Sequence, residues 1–337
     1  MGRTTQPPKR KLKALIWVAH HLEVAEIIER YVQMAARELE SHGHEVVVCR
    51  DIECAIREVE DADIMLCWRI VPEVLANATR LRWIQFGSAG IDHTLFPELL
   101  GSEVTLTNVS GIHRTPVSEH VLALMLALSR RLHLAIRLQI ERRYDRSTIA
   151  PAADELSGKT IGIVGIGKIG LELARICKCL GMTVVGTKRT PLQNPAYLDE
   201  VLPPSELDQV LERSDFLVLV LPLTAGTELL LGERELALMK PSAFIINVAR
   251  GQMIDEAALA RALRAGRLAG AALDVFSQEP LLPESPLYDL PNVIITPHVA
   301  GAHRQYPDRA FEVFKTNLAA FEAGRPMINV FDRERGY

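Results

Sequence analysis

Apolar and polar positions along the chain follow two periods in turn. Short apolar runs at residues 14–18, 45–49, 63–68 and 81–86 have strand length, and residues 24–39 carry apolar side chains at helical spacing, closing near Gly43. Strands alternating with helices predict a parallel sheet with helices on its faces. Residues 119–137 are apolar on most sides, which predicts a buried helix that either crosses between domains or packs in a subunit interface. A polar stretch, 141–158 with Pro151, interrupts the pattern. The alternation then resumes, with strands at 160–164, 183–186, 216–221, 243–248, 268–276 and 293–296. Helical spacing occupies 171–180, 233–239 and 255–265, the last between an Asp255 N-cap and a Gly266 C-cap. An amphipathic helix at 308–323 follows once this second set is complete, so it is expected to return to the first.

The chain has 337 residues, too many for one ordinary core, and two domains are expected. Its net charge of −4 calls for neither nucleic acid nor an anionic membrane as partner. The longest strongly apolar run, 121–128, falls far short of the roughly 18 residues a membrane span needs, so a soluble, cytoplasmic protein is expected. Cys49, Cys54, Cys67, Cys177 and Cys179 form neither a disulfide framework nor a metal-ligand spacing, and read as reduced, mostly buried thiols. His20, His21, His42 and His44 read as surface residues, and no metal site is expected. Residues 1–13 are basic with no apolar signal core, and Gln6 breaks the myristoylation pattern, so a solvated tail is expected.

One stretch carries specific chemistry. Lys159-Thr160-Ile161-Gly162-Ile163-Val164-Gly165-Ile166-Gly167-Lys168-Ile169-Gly170 joins a strand to a helix through Gly-x-Gly-x-x-Gly, with Gly181 closing the helix. Gly165 permits the turn, Gly167 leaves room for a pyrophosphate against the backbone, and Gly170 lets the helix lie close on the strand. The N–H groups near Lys168 and Ile169 then face the anion, with the helix dipole behind them. A dinucleotide is the implied ligand.

Three ionisable residues stand just past the carboxyl ends of successive predicted strands: Arg250, Glu279 and His298. That is the ligand edge of an open parallel sheet, so the three are expected to converge beside the dinucleotide. Arginine offers a planar fork to a carboxylate, histidine can move a proton near neutral pH, and a carboxylate can orient and stabilise the imidazolium. The set suits hydride transfer to a 2-oxo acid. His120, beside Glu119, opens the buried helix and reads as structural. At the end of the fourth strand, residues 87–92 (Gly-Ser-Ala-Gly-Ile-Asp) either present backbone N–H groups to an anion or form a plain turn.

Asn247-Val248-Ala249-Arg250-Gly251, Ala272-Leu273-Asp274-Val275-Phe276 with Glu279-Pro280, and Thr296-Pro297-His298-Val299-Ala300-Gly301 resemble the signature segments of the D-isomer-specific 2-hydroxyacid dehydrogenases. Residues 111–123 and Leu221-Pro222-Leu223-Thr224 are similar as well, and the likeness runs over about residues 63–329. The resemblance implies an α/β fold of two doubly wound parallel-sheet domains: a Rossmann-type dinucleotide domain (110–302) inserted in a flavodoxin-like substrate domain (1–109 plus 303–337). By the same resemblance Arg250 binds the substrate carboxylate, and Ser88, Ala89 and Gly90 of the loop after the fourth strand are further candidate substrate-binding residues. Glu279 supports His298, the acid/base, and Asp274 contacts the nicotinamide carboxamide. Pro222, Val248 and Ala249 line the cofactor with Gly165, Gly167, Lys168, Ile169 and Gly170. A homodimer formed through residues 119–146 is implied too.

The sequence departs from the family pattern in places. The second strand of the nucleotide domain ends in Gly186-Thr187-Lys188-Arg189, with no acid before Asp199 to bind ribose hydroxyls. Lys188 and Arg189 could hold a 2′-phosphate, so NADP is expected, with NAD possible. Ser110 replaces the common proline and His113 the common asparagine, which bears on substrate identity. The expected function is an NAD(P)H-dependent reductase of a small 2-oxo acid such as glyoxylate or hydroxypyruvate. The rival is a dinucleotide-sensing, corepressor-like binding protein of the same fold.

Overall fold

The computed structural model describes residues 11–18, 25–190 and 197–337. The chain divides into two compact units, Met1–Ile112 with His303–Tyr337, and His113–Ala302. The first unit holds five parallel strands: β1 (Lys13–Trp17), β2 (Glu45–Cys49), β3 (Ile64–Cys67), β4 (Trp83–Phe86) and β5 (Thr105–Thr107), in the order β2-β1-β3-β4-β5. That is the flavodoxin-like order. Successive residues serve opposite faces: Leu15 and Trp17 enter one core, Ala14 and Ile16 the other. Burial on both faces is why β1, β3 and β4 read as apolar runs, while the edge strand β2 is only partly buried. The helices Ala25–Ser41 and Tyr306–Glu322 pack together on this sheet.

The second unit holds seven parallel strands: β6 (Thr160–Val164), β7 (Thr183–Thr187), β8 (Glu200–Leu202), β9 (Phe216–Leu219), β10 (Phe244–Asn247), β11 (Gly270–Leu273) and β12 (Val293–Ile295). Their order is β12-β11-β10-β9-β6-β7-β8. Strand order reverses between β6 and β9, the switch point at which doubly wound sheets bind ligands. β5 and β8, three residues each, carry polar residues (Thr105-Leu106-Thr107 and Glu200-Val201-Leu202) and do not stand out as apolar runs, whereas the equally short β12 does.

Three expectations need correction. Residues 119–137 are not one buried helix: Arg114–Ser129 ends and Leu132–Ile140 begins anew, with Arg131 left-handed at φ 55°. The break is held from outside the helix. The Ser129 carbonyl accepts the Asp154 N–H (2.9 Å), and the Arg131 guanidinium donates to the Ala152 carbonyl (2.8 Å). The second helix buries none of its residues.

Cys49 and Cys54 form a disulfide, because β2 turns straight into the helix Ile52–Glu58, whose Asp51 cap brings the two Cα atoms to 5.5 Å. Of the remaining cysteines, Cys67 and Cys177 are buried thiols, and burial pushes Cys177 up to about 12. Cys179 is exposed.

His42 and His44 are not simple surface residues. His42 Nδ1 and His44 Nε2 each lie 2.7 Å from Glu322 Oε1, and the His44 and Glu322 side chains are buried. These donor atoms are close enough to hold a metal ion, but the Leu12 N–H meets His44 Nδ1 (3.4 Å) and leaves the ring proton on Nε2, facing the carboxylate. Two N–H groups therefore satisfy Glu322 as it stands. His20 and His21, and residues 1–10 of the basic tail, lie outside the described residues.

Candidate active site

The glycine turn follows from what a side chain would meet. Gly165 has φ 104°, and a Cβ on it would stand 2.7 Å from Leu221 Cβ. A Cβ on Gly170 would lie 2.5 Å from the Gly165 carbonyl oxygen, so glycine sets how closely the helix Lys168–Cys179 approaches β6. Gly167 differs: a Cβ there would meet nothing within 4 Å. It faces open space at the helix N-terminus, which fits a pyrophosphate resting against the backbone. The Ile166 N–H ties the turn to the Thr187 carbonyl (3.0 Å), and Lys188 Nζ donates to the Ile166 carbonyl (2.6 Å). The Lys188 ammonium thus sits beside the glycine turn, and Arg189 follows, exposed, at the end of β7. Asp199 is at the other end of that strand, accepting from the Val184 N–H (2.7 Å) and from Lys178. Pro222 is exposed in the loop after β9, its carbonyl accepting from the Thr227 hydroxyl (2.9 Å).

Arg250, Glu279 and His298 come together through contacts between the ends of β10, β11 and β12. Asn247, fully buried, accepts from the Ala249 N–H (3.0 Å) and donates to the Arg250 carbonyl (2.9 Å), shaping the turn of Val248, Ala249 and Arg250. The Arg250 guanidinium donates to the Ala249 carbonyl at 2.7 Å. A Cβ on Gly251 would fall 1.8 Å from the Phe276 carbonyl carbon, so only glycine lets the Arg250 turn press against the segment leading to Glu279. Glu279 Oε1 accepts from the Phe276 N–H (3.0 Å), and Oε2 lies 2.7 Å from His298 Nδ1. A carboxylate at Nδ1 makes that nitrogen the donor and leaves Nε2 for proton exchange.

Charge follows this geometry. The hydrogen bond to Glu279 raises the His298 pKa above its ordinary 6.5; burial and the Arg250 charge oppose this, and Asp274 reinforces it. Burial alone would raise Glu279, yet the hydrogen bonds from His298 and the Phe276 N–H outweigh it and hold the carboxyl below its ordinary 4.5. Both shifts favour the ionised forms of the pair.

The other predicted loop belongs to the first unit. At the end of β4, the Gly87 carbonyl accepts from the Tyr306 hydroxyl (2.5 Å), and the Ser88 carbonyl accepts from the Val109 N–H (3.2 Å). Among the described residues the N–H groups of Ser88, Ala89 and Gly90 have no acceptor. Three successive donors are thus left for solvent or a ligand.

Residues 122–300 match the family described as D-isomer specific 2-hydroxyacid dehydrogenase, NAD binding domain. Over 285 residues the chain is 36% identical to glyoxylate reductase of Thermococcus gammatolerans, covering 83% of this chain and 84% of that one. It is also 36% identical to glyoxylate reductase of Pyrococcus furiosus, over 84% of this chain and 86% of that one. The chain belongs to the D-isomer specific 2-hydroxyacid dehydrogenase family. Among solved structures, an NADPH-dependent glyoxylate/hydroxypyruvate reductase from Sinorhizobium meliloti in complex with NADP and sulfate aligns with TM-score 0.82 at 29% identity, covering 97% of this chain and all of that one. Membership makes the protein an NAD(P)-dependent oxidoreductase, and the binding-protein alternative is not favoured.

Sequence reasoning missed how this dehydrogenase uses Asp274. Its carboxylate is 1% exposed and accepts from the Thr296 hydroxyl (2.5 Å), the Val299 N–H (3.0 Å) and the Ala300 N–H (2.9 Å). Its carbonyl accepts from the His298 N–H (2.8 Å), and its own N–H bonds the Asn247 carbonyl (2.9 Å). Asp274 therefore clamps the turn that holds His298 in a left-handed conformation at φ 53°. His120 joins the same cluster, with Nε2 3.2 Å from the Thr296 hydroxyl. His113 Nδ1 meets the Gly301 carbonyl at 3.0 Å, anchoring the far side of the turn. Ser110 lies in the first unit, where its carbonyl accepts from Asn329 Nδ2 at 2.9 Å.

Proposed function

We propose that the dehydrogenase reduces a small 2-oxo acid of the glyoxylate or hydroxypyruvate kind and prefers NADPH. The observation that carries the reading is the His298–Glu279 pair standing under the charge of Arg250. When bound, the nicotinamide supplies the hydride. Arg250 offers its fork to the substrate carboxylate. Within the first unit, the N–H groups of Ser88, Ala89 and Gly90 are donors suited to a carboxylate. His298 Nε2 delivers the proton to the carbonyl oxygen, and Glu279 favours the protonated ring and fixes Nδ1 as the donor. Asp274 holds the His298 turn. The first unit then serves as substrate domain, and the second, with Gly165, Gly167, Lys168, Ile169 and Gly170 at its anion turn, as dinucleotide domain.

Lys188 and Arg189 favour NADPH, since two cations stand where the ribose 2′ position is read and Asp199 is held at the opposite strand end. The NADP-bound relative from Sinorhizobium meliloti supports the choice. A homodimer fits the exposed apolar side chains Leu132, Ile136, Ile140 and Tyr144, which follow the helix break and form a patch of the kind interfaces cover. No helix among the described residues is long and apolar enough to cross a membrane.

The test is consumption of NADPH and NADH, followed by absorbance, against a panel of 2-oxo acids. Glyoxylate or hydroxypyruvate with NADPH should lead. A flat trace for every acid with both cofactors would refute the reading, and faster turnover with NADH would refute the cofactor assignment.

A further inference from the structure

The carbonyl of Gly87 is held by a side chain more than two hundred positions away in the sequence. The Tyr306 hydroxyl donates to it at 2.5 Å and accepts from the Trp68 indole N–H at 3.1 Å. Trp68 lies on the loop itself: a Cβ on Gly87 would stand 2.3 Å from the indole, so this glycine is what lets the ring close over the backbone. Tyr31, fully buried, meets both rings edge-on, with centroids 5.8 Å from Trp68 and 6.0 Å from Tyr306. The hydroxyl is thereby fixed from three sides.

This matters because of peptide geometry. In a trans peptide the C=O of one residue and the N–H of the next point in opposite directions. Tying the Gly87 carbonyl to Tyr306 turns the Ser88 N–H away from it, and tying the Ser88 carbonyl to the Val109 N–H does the same for Ala89. Those N–H groups, with that of Gly90, are the ones with no acceptor among the described residues. Two carbonyls of the loop, those of Gly87 and Ser88, are used by the protein, and the N–H groups that follow them are left over.

We infer that Tyr306 is a positioning residue for substrate binding: through Gly87, with Trp68 as its orienting partner, it sets the direction in which the Ser88 N–H meets the substrate carboxylate. The inference rests on the reductase reading above. Burial keeps the Tyr306 hydroxyl protonated well beyond its ordinary range, although the Trp68 hydrogen bond pulls the other way, so the donor is present throughout any assay range.

The experiment is steady-state kinetics on the full chain with saturating NADPH, varying glyoxylate or hydroxypyruvate. Competitive inhibition by oxamate serves as an unreactive carboxylate probe. Tyr306→Phe deletes the hydroxyl and keeps the ring. One misdirected hydrogen bond should raise both KM for the oxo acid and Ki for oxamate about five- to tenfold, with kcat within about threefold and KM for NADPH unmoved. Trp68→Phe, which removes the orienting N–H and trims the indole to a single ring, should move the same two constants about two- to threefold. A purely structural role would lower Tm and leave KM and Ki alone. Wild-type KM and Ki in Tyr306→Phe overturn the inference, as does a fall in kcat with KM unchanged. Should Tyr306→Phe fail to fold, Trp68→Phe decides on the same two constants. A wild-type enzyme that turns over no 2-oxo acid overturns the reductase reading and this inference with it, whereas an active enzyme with unmoved variants overturns this inference alone.

Discussion

Asp274→Asn is the most informative single change, because its cost can be worked from contacts. The buried carboxylate accepts three hydrogen bonds, two on Oδ1 from Thr296 and Val299 and one on Oδ2 from Ala300. An amide has one acceptor oxygen. If it takes the Oδ1 place, its NH2 group faces the Ala300 N–H, and a donor meets a donor. The variant loses one hydrogen bond to a charged group, worth about 1.5–3 kcal/mol, and leaves a buried N–H unpartnered at a similar cost. The two overlap, so a destabilisation of roughly 2–4 kcal/mol is expected. For a unit spanning residues 113–302 that corresponds to a Tm lower by roughly 5–15 °C. Because the same contacts hold the turn that carries His298, kcat/KM should fall by about tenfold or more, as misplacement of a reacting group does. Thermal unfolding followed by circular dichroism, with kinetics at a temperature where the variant is folded, measures both. Thr296→Val, which removes a single donor, should cost less. An Asn variant with wild-type Tm and kcat/KM within twofold would show that the clamp does not hold the turn.

Reduction needs His298 protonated, and Glu279 raises its pKa, so kcat/KM for reduction should persist to mildly alkaline pH and then fall, while oxidation of the hydroxy acid shows the opposite dependence. Glu279→Gln removes the raising charge and should move the falling limb to lower pH; a limb that stays in place would free His298 from Glu279. The pair's contribution to stability should be full between the ordinary values of Glu279 (4.5) and His298 (6.5), being lost as pH falls from 4.5 through the lowered Glu279 pKa or rises from 6.5 through the raised His298 pKa, which unfolding at several pH values measures. Lys188→Asp with Arg189→Ser should move preference toward NADH, and an unchanged ratio of NADPH to NADH efficiency would reject the assignment. Arg250→Lys keeps the charge but loses the fork, so kcat/KM should fall about tenfold or more, largely through KM; unchanged kinetics would remove Arg250 from the site.

The features legible in the sequence depend on neighbours along the chain. A parallel strand buried on both faces must be an apolar run whatever its partners are, so most strands stood out, and with them the alternation that means two doubly wound sheets. The glycine turn was legible for the same reason, since φ at Gly165 and the approach of Gly170 to the Gly165 carbonyl are settled within six residues. Arg250, Glu279 and His298 could be singled out because parallel strands place every following loop on one edge, and the structure joins Glu279 to His298 there. What the tertiary structure alone decided lies in contacts between distant segments, or in turns that no periodicity reports. The break at Arg131 is held by carbonyls and N–H groups more than twenty residues on, and the Cys49–Cys54 bridge depends on how sharply β2 turns into a helix. Glu322 reaches His44 across 278 positions, and Tyr306 reaches Gly87 across 219. None of these pairings leaves a trace in local hydrophobicity, because a single hydrogen bond needs only one suitable atom at the right place, and only the folded chain puts it there.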